Sequence, residues 1–113
     1  MTKNGLPPIH PGEFLLEILQ EMPVSQARLA RALGVSAMRI SHLAGGTRPV
    51  TAELALLLGK ALGQSPRYWL NLQADYDLKL AERAIEQRLA AVATVTATIP
   101  RRSRRAAAPL RRQ

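Results

Sequence analysis

"SQARLARALGVSAMRISHLAGG", residues 25–46, predicts two short helices joined by a tight turn. Ser25 and Ser36 are of the type that accepts a hydrogen bond from the first turn of a helix, so each marks a helix start. Gly34 follows the last apolar position of the first helix and tolerates the positive φ of a helix end. Gly45 and the glycine after it end the second helix. A turn this short lets the two helices cross steeply instead of lying antiparallel.

The periodicity of these two helices separates an inner face from an outer face. Ala30 is expected where the helices approach most closely. The predicted buried contacts around it are Leu29, Leu33, Val35, Ile40 and Leu43. On the second helix, Met38 and His42 point outward, with Arg39 and Ser41 beside them. This small, chemically mixed surface on a rigid helix suits the major groove of DNA better than an enzyme pocket.

Similar start and stop signals in the rest of the chain predict an all-α class. A first helix is predicted from Pro11 to about Met22. A fourth helix is predicted over residues 52–62, between a capping Thr51 and Gly63. A fifth is predicted to start at Pro66, after a capping Ser65, and to extend into the nineties.

The chain therefore reads as one domain with two tails. We expect an N-terminal arm over residues 1–10, a DNA-binding and dimerisation domain over 11–93, and a flexible arginine-rich tail over 94–113. Trp69 and Leu72 are the first candidates for the core among the apolar residues of the fifth helix.

The charge of the chain is concentrated at its C-terminal end. The formal net charge is +8, and residues 101–113 contain six arginines and no acid, so residues 1–100 are nearly balanced. The tail either adds sequence-independent affinity for DNA phosphates, which we favour, or docks on the acidic surface of a protein partner, or solubilises the chain. The absence of cysteine excludes disulfides and thiolate chemistry. No stretch resembles a signal peptide or a membrane span, so we expect a cytoplasmic protein.

Residues around the predicted outer face divide into base readers and phosphate anchors. The anchor candidates are Ser25, Gln26, Arg28, Ser36, Arg39, Thr47 and Arg48. His42 either contacts a base edge or is a solvated surface histidine. Met38 either packs on a thymine methyl or lies at a partner surface. Arg39 reaches either guanine or phosphate, and Arg28 and Arg31 are either anchors or a solvated helix face.

The fifth predicted helix has more apolar surface than one small domain needs. Its later apolar residues are therefore candidates for a two-fold interface: Tyr76, Leu78, Ile85 and Leu89. Such an interface would space two DNA half-sites by about 34 Å, one turn of the duplex. The alternative is that this whole face packs inside one chain.

Nothing in the sequence supports an enzyme. His10 and His42 are the only histidines. His10 with Glu13 lacks a further metal ligand at useful spacing, and there is no glycine-rich phosphate loop and no nucleophile elbow. His10, beside Pro11, is interpreted as a residue of the helix start. We expect no cofactor, no metal and no catalytic residue.

Four blocks of the sequence together resemble a known family. "QARLARALGVSAMRISHLAGG" is similar to the XRE-type, phage-repressor-like helix-turn-helix. "PPIHPGEFLLEIL" before it, "GGTRPVTAELALLLGKALG" after it and "SPRYWLNLQADYDL" beyond resemble the HigA family of antitoxins from bacterial type II toxin–antitoxin modules. The resemblance covers roughly residues 7–80.

This resemblance implies a homodimer of five-helix domains that binds a palindromic operator of its own promoter and represses its operon. It also implies neutralisation of HigB, a RelE-like ribonuclease that cleaves messenger RNA, and nucleoid association when the operator is bound. The implied DNA contacts are Ser36, Ala37, Met38, Arg39, Ser41 and His42, with Gln26 on the phosphate side. Ala37 and Met38 stand where many relatives have polar residues. Contacts with thymine methyl groups, or recognition of DNA shape, are therefore expected to contribute more to specificity here than hydrogen bonds to bases.

Two alternatives stay open at this stage. The chain is either such an antitoxin or a free-standing repressor without a toxin partner, and a small ribonuclease gene next to its own would separate the two. A third interpretation is a protein-interaction module whose third helix has lost DNA binding. Binding to its own upstream DNA tests that interpretation.

Overall fold

The structure, a computed structural model, describes residues 7–95. Within that range the chain forms six helices and no strand, which confirms the all-α prediction. The helices are α1 (Pro11–Glu21), α2 (Gln26–Leu33), α3 (Ala37–Ala44), α4 (Ala52–Leu62), α5 (Pro66–Ala84) and α6 (Glu86–Ala90). The predictions for most of the N-terminal arm and for nearly all of the arginine-rich tail lie outside the described residues.

Local hydrogen bonds explain where the helices begin and end. The predicted capping side chains accept from the backbone N–H three residues later, at 3.0 Å for Ser25, 3.1 Å for Ser36, and 3.2 Å for Thr51 and Ser65. Gly34 and Gly63 end α2 and α4 with φ of 74° and 83°. An L-residue with a Cβ adopts such angles only with strain. These short-range contacts are why the predicted bounds of α2 and α4, and the predicted starts of α3 and α5, agree with the structure.

The fifth helix is interrupted, so its predicted continuation into the nineties is wrong. Ile85 leaves helical geometry with φ −119° and ψ 28°, and α6 restarts after it. Ile85 is β-branched, which disfavours a helix interior slightly, and no residue of α6 is buried. Because α6 is not packed against the core, no tertiary contact offsets the weak helix preference of Ile85, and α5 does not continue through it.

The core lies between α1, α2, α4 and α5 and holds the inner face of α3. Its fully buried side chains include Leu15, Ile40, Leu43, Leu54, Leu58 and Trp69. Trp69 is covered on all sides, and its indole N–H donates to Gln64 Oε1 at 2.8 Å. Burying a side chain of that size is worth about 5 kcal/mol before ordering entropy is subtracted. Leu72, the other predicted core residue of this helix, packs against the core while half-buried.

Two further predictions concern burial. Leu29, Ala30 and Leu33 are buried as predicted. Val35 is half-buried, because it lies in the turn at the edge of the core and not inside a helix.

None of the helices in residues 7–95 is both long and apolar enough to cross a bilayer.

Candidate nucleic-acid interface

The turn between α2 and α3 sets the orientation of α3. The N–H of Val35 donates to the carbonyl of Ala30 at 3.0 Å, which closes the turn behind Gly34. Ala30 has almost no exposed surface, so the two helices meet closely there. Ile40 and Leu43 are fully buried and hold one face of α3 in the core. The opposite face is consequently presented to solvent.

The predicted reader residues lie on that solvent face. Met38 is 65% exposed, so most of its surface is open to solvent. Ala37, Ser41 and His42 are exposed beside it. Ser36 is exposed as well, although its Oγ also caps α3. The outward orientation inferred from helical periodicity is therefore confirmed.

The predicted phosphate anchors lie in the first turn of α2 and in the loop that follows α3. Gln26 is half-buried at the first position of α2, while Arg28 and Arg48 are exposed. Thr47 is exposed too, but its hydroxyl donates to the carbonyl of His42 at 3.1 Å. That bond ties the loop to the end of α3 and uses the hydroxyl proton, so Thr47 offers only its oxygen and its position to a ligand.

Arg39 has a partner that the sequence analysis missed. Its Nη2 lies 3.5 Å from Oε1 of Glu53 on the first turn of α4, with side-chain exposures of 29% and 73%. From sequence, Glu53 is explained by the positive end of α4, and no local pattern links it to α3. Exposed ion pairs contribute roughly 0–1 kcal/mol to stability, so the effect of this pair is mainly on where the guanidinium sits.

Charge is divided between helices in a way that suits the outer face of α3. Residues 22–52 contain four arginines and no acid, whereas α1 contains three glutamates and no base. The segment that contains α2, α3 and the loop after α3 is thus basic, whereas α1 is acidic. This distribution explains how α3 can face an anionic partner with Arg39 as its only arginine, because its neighbours supply the remaining charge.

Comparisons with known proteins agree with this geometry. A family model described as Helix-turn-helix matches residues 15–69. Virulence-associated protein I of Dichelobacter nodosus is 46% identical over 82 residues, which cover 72% of this chain and 76% of that protein. Antitoxin HigA-1 of Vibrio cholerae is 39% identical over 79 residues, 69% of this chain and 74% of that one. The chain belongs to the HigA family of helix-turn-helix antitoxins.

A solved HigA structure shares the fold. The Pseudomonas aeruginosa antitoxin HigA, determined with the higBA promoter, superposes with a TM-score of 0.74 at 37% identity, covering 79% of this chain and 99% of that one. The Helix-turn-helix match of this HigA-family chain ends at Trp69, inside α5. The residues predicted for a dimer interface lie beyond that match.

The predicted dimer residues of this HigA-family chain are only partly covered by the chain itself. Leu78 is 60% and Leu89 49% exposed, so the alternative that the whole face packs inside one chain does not hold for them. Ile85 is half-buried. Tyr76 is half-buried as well, and its ring meets the His10 ring edge-on at 4.9 Å between centroids. Tyr76 thus has a contact within its own chain that the sequence analysis did not foresee.

His10 starts the first helix of the HigA-family domain, as interpreted from sequence. It is buried, and its Nδ1 accepts from the N–H of Gly12 at 2.9 Å. Burial lowers the pKa of His10, since a charged ring is poorly solvated there. A hydrogen bond with the Arg48 backbone and the charges of Asp77 and Glu13 oppose that shift. His10 therefore links α1 to the loop that follows α3.

Gln73 is a second buried polar residue that sequence reasoning missed. Its Oε1 accepts from the N–H of Val50 at 2.7 Å, and its Nε2 donates to Asp77 Oδ1 at 3.0 Å. The carbonyl oxygen and one N–H of this side-chain amide are thus hydrogen-bonded, and the first bond attaches α5 to the segment between α3 and α4. Within residues 7–95, no group of three or more His, Asp or Glu side chains is arranged to hold a metal ion.

Proposed function

We propose that this chain binds double-stranded operator DNA of its own promoter as the repressor of its operon. The observation that carries the proposal is the outer face of α3, which is exposed and follows a hydrogen-bonded turn, in a segment (residues 22–52) with four arginines and no acid. The P. aeruginosa antitoxin HigA determined with the higBA promoter supports it by similarity.

Two groups of residues have different roles in this proposal. The base edges are read by the outer face of α3, that is by Ser36, Ala37, Met38, Arg39, Ser41 and His42. Gln26, Arg28, Thr47 and Arg48 place the protein on the phosphates. Because two of the readers are apolar, thymine methyl groups and groove shape contribute to selectivity beside hydrogen bonds.

Fluorescence anisotropy with a labelled duplex of the chain's own upstream region tests this proposal. We expect His42→Ala and Arg39→Ala to weaken binding by about fivefold or more, since one good base contact is worth that much. Lys60→Ala removes one charge from the last turn of α4, outside the predicted contact set, and is expected to change binding by less than about twofold. A wild-type protein that does not bind the duplex ends the proposal.

We propose further that the DNA-bound form is a homodimer joined through α5 and α6. The exposed Leu78 and Leu89, with the partly covered Tyr76 and Ile85, offer the apolar surface for it. Two copies on one duplex would place their recognition helices about 34 Å apart. Light scattering after gel filtration should give a dimer mass for the wild type and a monomer for Leu78→Glu. Arg67→Glu, at the exposed start of α5, should leave the dimer intact; a monomeric wild type contradicts the proposal.

Finally, we propose that the chain neutralises a HigB/RelE-like toxin that cleaves messenger RNA. Membership of the HigA family supports this role. Coexpression with the neighbouring gene product should yield a complex, and the purified chain should stop that product from cleaving RNA in vitro. Operator binding without any such complex would instead identify a free-standing repressor.

A further inference from the structure

Arg39 is the only arginine or lysine of α3. Its position is set from two sides. The N–H of Arg39 donates to Ser36 Oγ at 3.1 Å, which fixes the backbone, and the guanidinium lies 3.5 Å from the carboxylate of Glu53. The side chain is 29% exposed, far less than the neighbouring Met38. A long side chain that would otherwise sample many rotamers is thereby held near α4.

Glu53 is an unexpected residue at such a surface. It is the one acidic residue in residues 22–74, and it lies next to the face proposed to meet the phosphates of DNA. A carboxylate there repels phosphates and lowers affinity for every DNA sequence alike. Any benefit of Glu53 to DNA binding must therefore come from its effect on Arg39.

The chemistry of arginine shows what that effect is. A guanidinium carries five N–H donors in a planar fork, so a carboxylate at one Nη leaves other donors available. Guanine presents two acceptors, O6 and N7, that match such a fork in the major groove, whereas a phosphate attracts any nearby cation. The carboxylate of Glu53 opposes the attraction of Arg39 to phosphates, while the remaining N–H donors stay available to guanine.

We propose that Glu53 is a positioning residue that holds Arg39 for a guanine edge and away from phosphates, so that this pair sets operator selectivity. The inference rests on the proposed operator binding. It assigns to Glu53 a contribution to the ratio of operator affinity to general DNA affinity, and not to operator affinity itself.

The experiment compares two labelled duplexes of equal length, the upstream region and a scrambled version of it, by fluorescence anisotropy with the full chain. We expect Glu53→Gln to tighten binding to the scrambled duplex and to reduce the operator-to-scrambled ratio by about fivefold or more. Glu17→Gln, which removes the same charge from an exposed position of α1, should leave the ratio within about twofold of wild type.

A double mutant separates positioning from a plain charge effect. In an Arg39→Ala background, Glu53→Gln should no longer change the ratio, because the side chain that it positions is absent. Replacing the operator guanines one at a time by 7-deazaguanine should identify one position that wild type distinguishes and Glu53→Gln does not. Thermal unfolding of each variant checks that the domain is still folded, which the retained Thr51 cap favours.

The outcomes are distinct. An unchanged ratio in Glu53→Gln, or an equal reduction with Arg39 absent or with Glu17→Gln, overturns the role of Glu53 while operator binding stands. A wild-type protein with the same affinity for both duplexes overturns operator recognition itself, and this inference with it.

Discussion

Replacing Gly12 by alanine tests the close approach of α1 to the end of the recognition helix. A Cβ at this position would overlap the carbonyl oxygen of Leu43 and would lie 2.9 Å from that of Ala44. Both opposing atoms belong to the backbone of α3, so neither can rotate away as a flexible side chain would. Relief of the overlap requires α1 and α3 to move apart, and α3 is the helix that carries the proposed base readers.

The size of the effect follows from two opposing contributions. Overpacking a tight site costs about 1–3 kcal/mol, and rigid backbone neighbours place Gly12 at the upper end of that range. Alanine regains up to about 1 kcal/mol over glycine through helix propensity. The net loss is therefore about 2 kcal/mol, which for a domain of this size lowers the midpoint of thermal unfolding by roughly 8–16 °C.

A matched variant separates loss of stability from displacement of α3. Gly63 has φ of 83° at the end of α4 with no atom within 4 Å of its missing Cβ, so Gly63→Ala costs stability through strain alone, about 1–2 kcal/mol. Both variants should melt earlier by circular dichroism. Only Gly12→Ala should also weaken operator binding in anisotropy measured well below its melting temperature. A Gly12→Ala protein that melts within about 2 °C of wild type refutes the reasoning.

Three further predictions concern single side chains. Gln73→Leu leaves the buried N–H of Val50 without its acceptor. The free energy of unfolding, measured in urea, should therefore fall by about 1–3 kcal/mol, and an unchanged urea midpoint of unfolding would contradict this. Because burial lowers the pKa of His10 below its ordinary 6.5, the unfolded chain binds the proton more readily. The contribution of His10 to stability should thus be fully present above pH 6.5 and be lost as the pH falls from there through the folded pKa. His10→Asn, which keeps a capping oxygen, should make the melting temperature depend less on pH in this range, and an equal slope in both proteins argues against this role. Arg48→Ala should reduce the slope of log affinity against log salt by about one for operator and unrelated DNA alike, whereas an unchanged slope means that Arg48 contacts no phosphate.

Several features of this protein follow from its sequence alone because they depend on neighbours a few residues apart. Ser25 and Ser36 each accept a hydrogen bond from the backbone N–H three residues later, and Gly34 adopts a positive φ that its lack of a Cβ permits. These local bonds determine the bounds of α2 and α3. The apolar period of α3 then determines that Met38 and His42 face outward, whatever else packs around the helix.

Other features depend on which elements meet in three dimensions, and no local pattern encodes them. The bond from Val50 to Gln73 joins residues separated by 23 positions, and the pairing of Arg39 with Glu53 exists only because α4 starts beside α3. The contact of His10 with Tyr76 likewise joins the first helix to the fifth. Capping and periodicity act within one or two helical turns, whereas these contacts arise when separate helices share a core, so the tertiary structure alone decided them.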